Sequence, residues 1–228
     1  MFGVSRPIFQ FQLGRFPVVV DISAPLLWLI AGSGLTASFV PPGTSALDPA
    51  SLGALLVVGL LLSTSVLVHE LGHAMVGERF GARVDHIALH GMGGYCASSD
   101  RGMSPGRRLL VSLAGPGFGL AFGLFFLAIR MVLGDVPQAF AAALGVLIFV
   151  NLFWSAFNLL PMPPLDGGAA LRHLLATRLP AHRAAQISAW IGLGCAVLLG
   201  LWGLSSGQTF LFVMCVFSFL QALAVVRR

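Results

Sequence analysis

Residues 52–81 read LGALLVVGLLLSTSVLVHELGHAMVGERFG, and this stretch decides what kind of molecule the chain makes. From Leu52 to Val76 it is long enough to cross the roughly 30 Å of membrane hydrocarbon as a helix, a passage that takes about 20 apolar residues. Its final part nevertheless carries His69, Glu70 and His73. At about 1.5 Å per residue, His73 lies roughly 9 Å and His69 roughly 15 Å below Arg79, which marks the interface. Ionisable groups at such depth are costly, and they are usually paired, metal-bound or facing water. Residues four apart share a helix face, so His69 and His73 can present two imidazoles to one cation, with Glu70 about 100° around and in reach of a water on it. The bland alternative is two core histidines and an incidental carboxylate. The chain's own residue frequencies put a chance match to this spacing on the order of 0.001, and Glu78 is the only other Glu.

The rest of the chain extends the membrane reading. Of 228 residues, 57% are hydrophobic and 9% charged, with a mean hydropathy of +0.92. A soluble domain carries about 25% charged residues, and a disordered chain is far less apolar. Six stretches qualify as spans: Pro25 to Val40, Leu52 to Val76, Leu109 to Leu133, Ala139 to Leu160, Ala184 to Leu204 and Phe210 to Val226, the first being short. Before them, IFQFQLGRFPVVVD (8–21) alternates apolar and polar residues around a glycine turn, the pattern of a small hairpin at the membrane surface. Between spans two and three, residues 81–108 predict a strand around Val84 to Ala88 followed by a glycine-rich turn. The expected fold is an all-α polytopic membrane protein of about six transmembrane helices with a small membrane-associated β-hairpin or sheet. One membrane-embedded domain, 1–228, is expected to make up the whole.

All 13 basic residues are arginine. With the N-terminus in the cytoplasm, Arg6, Arg15, Arg79, Arg83, Arg101, Arg107, Arg108, Arg172, Arg178, Arg183, Arg227 and Arg228 fall on one side and Arg130 stands alone on the other. This asymmetry predicts an integral, multi-pass protein with both termini and the opening of the site cytoplasmic. The bilayer, not nucleic acid, is its expected partner. The N-terminus lacks the short apolar core and small-residue cleavage site of a removable signal peptide. The three cysteines, Cys96, Cys195 and Cys215, form no disulfide or zinc-binding pattern and read as packing residues.

A hydrolytic zinc site typically takes three protein ligands and keeps one position for water. Asp166 is the candidate third ligand. It follows span four in NLLPMPPLDGG (158–168), where three prolines break the helix and Gly167 and Gly168 free the backbone to turn a carboxylate back into the bundle. A turn residue or helix N-cap is the local alternative for Asp166.

His69-Glu70-Leu71-Gly72-His73, followed by Asn158 to Gly168, resembles the site-2 protease family of zinc intramembrane metalloproteases. Gly91-Met92-Gly93-Gly94 and Ala114-Gly115-Pro116 extend the resemblance. It covers Leu52 to Gly168, roughly half the chain, and it implies a catalytic core at 52–168 made by spans two to four. It further implies Zn2+ held by His69, His73 and Asp166, with Glu70 as general base. The family often carries Asn three residues after the proline of Ala-Gly-Pro, where this chain has Gly119.

The expected chemistry follows. Zinc brings the pKa of a bound water toward about 7, and Glu70 takes its proton as the water attacks a peptide carbonyl. A helical substrate must unwind locally, because its carbonyls are engaged in i to i−4 bonds. An exposed strand edge within Arg83 to Ser98, with close approach at Gly91, Gly93 and Gly94, can hold an unwound chain; an ordinary hairpin over the site fits equally well. His86 and His90 lie in that segment as lesser candidates for ligands. The resemblance gives Asn158 a part in holding substrate backbone or the oxyanion, and an interhelical hydrogen bond shared with Asn151 is nearly as well supported. The expected partner is a membrane-spanning protein substrate, with recognition by the membrane domain itself, a regulatory partner or a second copy of the chain. The competing reading is a catalytically silent membrane metal-binding or scaffold protein of the same fold.

Overall fold

The computed structural model describes residues 7–227. Arg6 and Arg228, both counted in the charge asymmetry, lie outside them. The N-terminal alternation folds as expected into two antiparallel strands, β1 (Pro7–Leu13) and β2 (Phe16–Asp21), around Gly14 at φ +59°. A short apolar helix, α1 (Ala24–Ser38), follows and then the long α2 (Pro49–Arg79). Asp48 caps α2 by accepting the Ala50 N–H at 2.8 Å, and Pro49 opens the first turn, where its missing donor costs nothing. Gly81, at φ +91°, turns the chain out of α2.

Next come β3 (Arg83–His90) and β4 (Gly93–Ser99). The expected glycine-rich turn shrinks to Gly91 and Met92, because Gly93 and Gly94 already pair with His90 and Leu89. Five further helices follow among the described residues: α3 (Pro105–Val132), α4 (Gln138–Asn158), α5 (Asp166–Ala176), α6 (Ala181–Ser205) and α7 (Thr209–Val226).

The two hairpins are one sheet, ordered β1-β2-β3-β4. β2 and β3 run parallel, with Val18 opposite Ile87 and Val20 opposite Leu89, so the expected N-terminal hairpin forms one sheet with the second hairpin. The sheet packs on the lower part of α2 through Phe16, Val18, Ile87 and Ala74, with Leu67, Leu71 and Cys96 around them. Higher up, Val58 and Leu62 of α2 meet Val146 and Val150 of α4. Met162, Ala196 and Cys215 join the α4–α5 connection to α6 and α7.

Among the described residues, four helices are long and apolar enough to cross a membrane: α2, α3, α4 and α6. The chain is an integral membrane protein. The first and last of the six expected spans are shorter apolar helices, Ala24–Ser38 and Leu211–Val226. In α1 the α-helical turn gives way to a π turn at Trp28–Gly32 and then to 3-10 helix at Ser33–Ser38. The three cysteines are free and all sit in or against the apolar clusters, as packing residues should.

Candidate metal centre

Helix α2 carries His69 and His73 on one face, and α5 begins at Asp166, whose carboxylate meets both rings. His69 Nε2 lies 2.9 Å from Asp166 Oδ2, His73 Nε2 lies 3.3 Å from Asp166 Oδ1, and the two imidazole Nε2 atoms are 3.2 Å apart. Donors about 2.0–2.1 Å from one tetrahedral cation sit about 3.3 Å from each other. Each carboxylate oxygen approaches one ring, and one donor atom from each of the three residues lies within 4.8 Å of the others, which makes these the residues among those described that could hold a single ion. The turn that delivers Asp166 is tight. A Cβ at Gly167 would overlap the Leu159 carbonyl and one at Gly168 would come within 2.7 Å of Met162 C, so glycine is required at both. Asp166 is thus the first residue of α5 rather than its N-cap, and its carboxylate is turned toward both imidazoles. Burial opposes its charged form, yet hydrogen bonds from His69 and His73 and their charge hold the Asp166 carboxyl down at about 2.

The imidazoles are oriented from outside the donor set. His73 Nδ1 donates to the Val111 carbonyl of α3 at 2.7 Å, which leaves the Nε2 lone pair for a metal. Gly115, one turn further along α3, sits directly over both rings: an added Cβ would lie 2.6 Å from His69 Nε2 and 2.7 Å from His73 Cε1. Gly72 of α2 packs as closely against the Ala114 carbonyl. Neither contact is legible from spacing, because a backbone carbonyl leaves no residue-type signal and a glycine does not name its neighbour.

Glu70 is 7% exposed and stands beside the triad. β4 lies against it. A Cβ on Gly94 would come within 2.9 Å of Glu70 Cγ, and the backbone amide of Cys96 is turned to its carboxyl. A cavity of about 710 Å³ opens in front of these groups, reaching from α1 (Leu27, Ile30) past β4 to α7 (Met214, Phe217).

The lesser candidates divide. Asn158, Gly91 and Gly93 line the cavity with the triad, and Gly94 touches Glu70. Gly91 owes its identity to packing as well, since a Cβ there would meet the Ser23 carbonyl at 2.7 Å. Asn151 and Asn158 do not share a hydrogen bond. Asn151 Nδ2 donates to Ser65 Oγ and to the Leu147 carbonyl, each at 2.8 Å, and Asn158 has no partner among the described residues. His86 and His90 stay outside the donor group; their rings flank Tyr95 at 5.9 and 5.6 Å. Gly119 leaves a gap that Ser155 of α4 fills, a neighbour that sequence reading passed over although it lies on the same α4 face as Asn158.

The family model for peptidase family M50 matches residues 57–143 and 129–199. A zinc metalloprotease of Methanocaldococcus jannaschii is 32% identical over 166 residues, covering 73% of this chain and 48% of that protein. Stage IV sporulation protein FB of Bacillus subtilis is 32% identical over 181 residues, covering 78% of this chain and 55% of that protein. The chain spans about half the length of these curated relatives. Among solved structures, the site-2 protease from Methanocaldococcus jannaschii superposes with a TM-score of 0.63 at 25% identity, over 96% of this chain and 95% of that one. Matched across both helices that bring the imidazoles and the carboxylate together, the chain belongs to peptidase family M50, the site-2 protease family.

Proposed function

We propose that this protein is a zinc-dependent endopeptidase that cuts a peptide bond in or near a membrane-spanning segment of another, membrane-tethered protein. The observation that carries the reading is the convergence of His69, His73 and Asp166, one donor atom from each within 4.8 Å of the others, with buried Glu70 beside them on an apolar helix. The relatives named as zinc metalloproteases support the metal and the reaction class.

Zinc, when bound, supplies a Lewis acid and makes water acidic enough to lose its proton near neutral pH. Glu70 takes that proton and returns it to the leaving amine. Its aliphatic stem is pinned by Gly94 and its carboxyl faces the Cys96 amide, so the base is held in place before substrate arrives. Val111 fixes the His73 tautomer. β4 is the outer strand of the sheet, and its free edge borders the cavity through Gly93, Tyr95 and Cys96, which supports pairing with an unwound substrate backbone. Asn158, unpartnered in the cavity, is a donor for that backbone or for the oxyanion.

In this reading residues 52–168 are the catalytic core of a single membrane domain. All six apolar helices cross or enter the bilayer, and both termini and the cavity mouth face the cytoplasm. The arginine-bearing segments beside Arg79, Arg107, Arg108 and Arg172 support that orientation. A silent metal-binding protein of the same fold would have no use for a buried, positioned Glu70.

The test compares the purified protein with Glu70→Gln, reconstituted with a membrane-spanning test substrate at equal zinc content. Retained zinc with lost cleavage is the expected result. Equal cleavage by both proteins removes Glu70 as the base.

A further inference from the structure

Three polar side chains on α4, Asn151, Ser155 and Asn158, recur at i, i+4 and i+7 and so lie on one face of an otherwise apolar helix. All three line the cavity that holds the metal donors. Asn151 is committed through its amide to Ser65 and Leu147. Ser155 is different. It is 2% exposed, and its hydroxyl has no hydrogen-bond partner among the described residues. The hydroxyl is not sealed inside the bundle but borders the cavity, so a ligand entering there can reach it.

The room for it is made by α3, where a Cβ at Gly119 would overlap Ser155 Oγ. Gly115, one turn earlier on the same α3 face, covers the two imidazoles. That stripe sets the spacing: Ser155 lies roughly 6 Å deeper in the bundle than the metal donors. An extended peptide advances about 3.3 Å per residue, so this distance is about two residues of unwound substrate.

Resting on the endopeptidase reading above, we propose that Ser155 is a substrate-binding residue whose hydroxyl hydrogen-bonds the unwound substrate backbone about two residues from the cut, on the membrane-interior side. A substrate helix that unwinds there releases an N–H and a C=O per residue with no water to take them. A hydroxyl can serve either group, donating to the carbonyl or accepting from the amide. Asn158, one turn nearer the triad on the same face, meets the backbone next to the scissile bond.

The experiment uses the full-length Glu70→Gln protein in lipid nanodiscs, which binds without cutting, and a fluorescent membrane-spanning peptide with a helix-weakening centre. Adding Ser155→Ala is expected to weaken peptide binding by about three- to tenfold, with zinc content and thermal midpoint unchanged. The combination Gly119→Ser with Ser155→Ala returns a hydroxyl to the same space from α3 and is expected to bring affinity back to within about twofold. An unchanged affinity in the single variant would mean the hydroxyl serves only a water, and overturns the proposal. So does a loss that the combined variant does not recover. If the Glu70→Gln parent captures no peptide at all, the endopeptidase reading fails and takes this inference with it.

Discussion

Gly115→Ala should abolish tight metal binding although residue 115 donates nothing to the metal. The added methyl would lie 2.6 Å from His69 Nε2, whereas ordinary contact begins near 3.4 Å, so that ring must retreat by about 0.8 Å. Metal–ligand distances tolerate about 0.2 Å. The helix cannot readily give way instead. Ala114 already rests against Gly72 of α2, and any withdrawal of α3 stretches the 2.7 Å bond from His73 to Val111. Displacing groups that orient a ligand costs 10- to 100-fold in metal affinity, and here two ligands move together. We expect at least about 100-fold weaker zinc binding, equivalent to about 2.7 kcal/mol. The assay is competition against a chromophoric zinc chelator with detergent-solubilised protein. Gly117→Ala is the control, since an added Cβ there meets nothing within 4 Å. A Gly115→Ala protein that holds zinc within threefold of the parent would refute the reasoning.

Gly59→Ala should drive the Trp28 ring off α2 and break its 3.0 Å bond to Ser63, at a cost of about 1–3 kcal/mol; a thermal midpoint and tryptophan emission equal to those of Gly53→Ala would contradict this. Burial, reinforced by the charge of Glu70, pushes the Cys96 thiol up to about 12, so at pH 8 its alkylation should run about a thousandfold slower than that of a free thiol, read by mass spectrometry. Burial and then the charges of Arg172 and Arg108 hold the His173 imidazole down at about 4. Its folded pKa lies below the ordinary 6.5, so the unfolded chain takes up the proton first as pH falls, and stability should decline between about pH 6.5 and 4. His173→Gln should flatten that decline in thermal unfolding in detergent, and an unchanged slope would count against the assignment.

What could be read beforehand was local. The His69–His73 spacing follows from helix periodicity alone, whereas around Asp166 the sequence shows a proline break followed by two glycines, which a turn residue fits as well; it is the histidine pair that singles out this carboxylate. Register between distant segments has no such signature. Nothing near Val18 announces Ile87 as its neighbour, so two correctly expected pieces of strand were not recognised as one sheet. The departure from α-helix at Trp28 was hidden for a similar reason. An apolar run fixes burial and length, but the choice among α, π and 3-10 turns depends on packing against α2. Contacts made by backbone, such as Val111 on His73, or allowed by a missing side chain, such as Gly115 and Gly119, stay silent until helices are placed side by side.

The parallel register of β2 with β3 also acts as a parity rule on the chain's path. Strands that zip together must occupy the same leaflet, so everything threaded between Asp21 and Arg83 has to leave and come back. α2 is long enough to supply one passage, and the stretch from Ala24 to Asp48, with its fifteen-residue apolar helix Ala24–Ser38, links its far end back to β2. A change in the length of that stretch therefore acts at a distance, on the β2–β3 register and on the sheet beside Glu70.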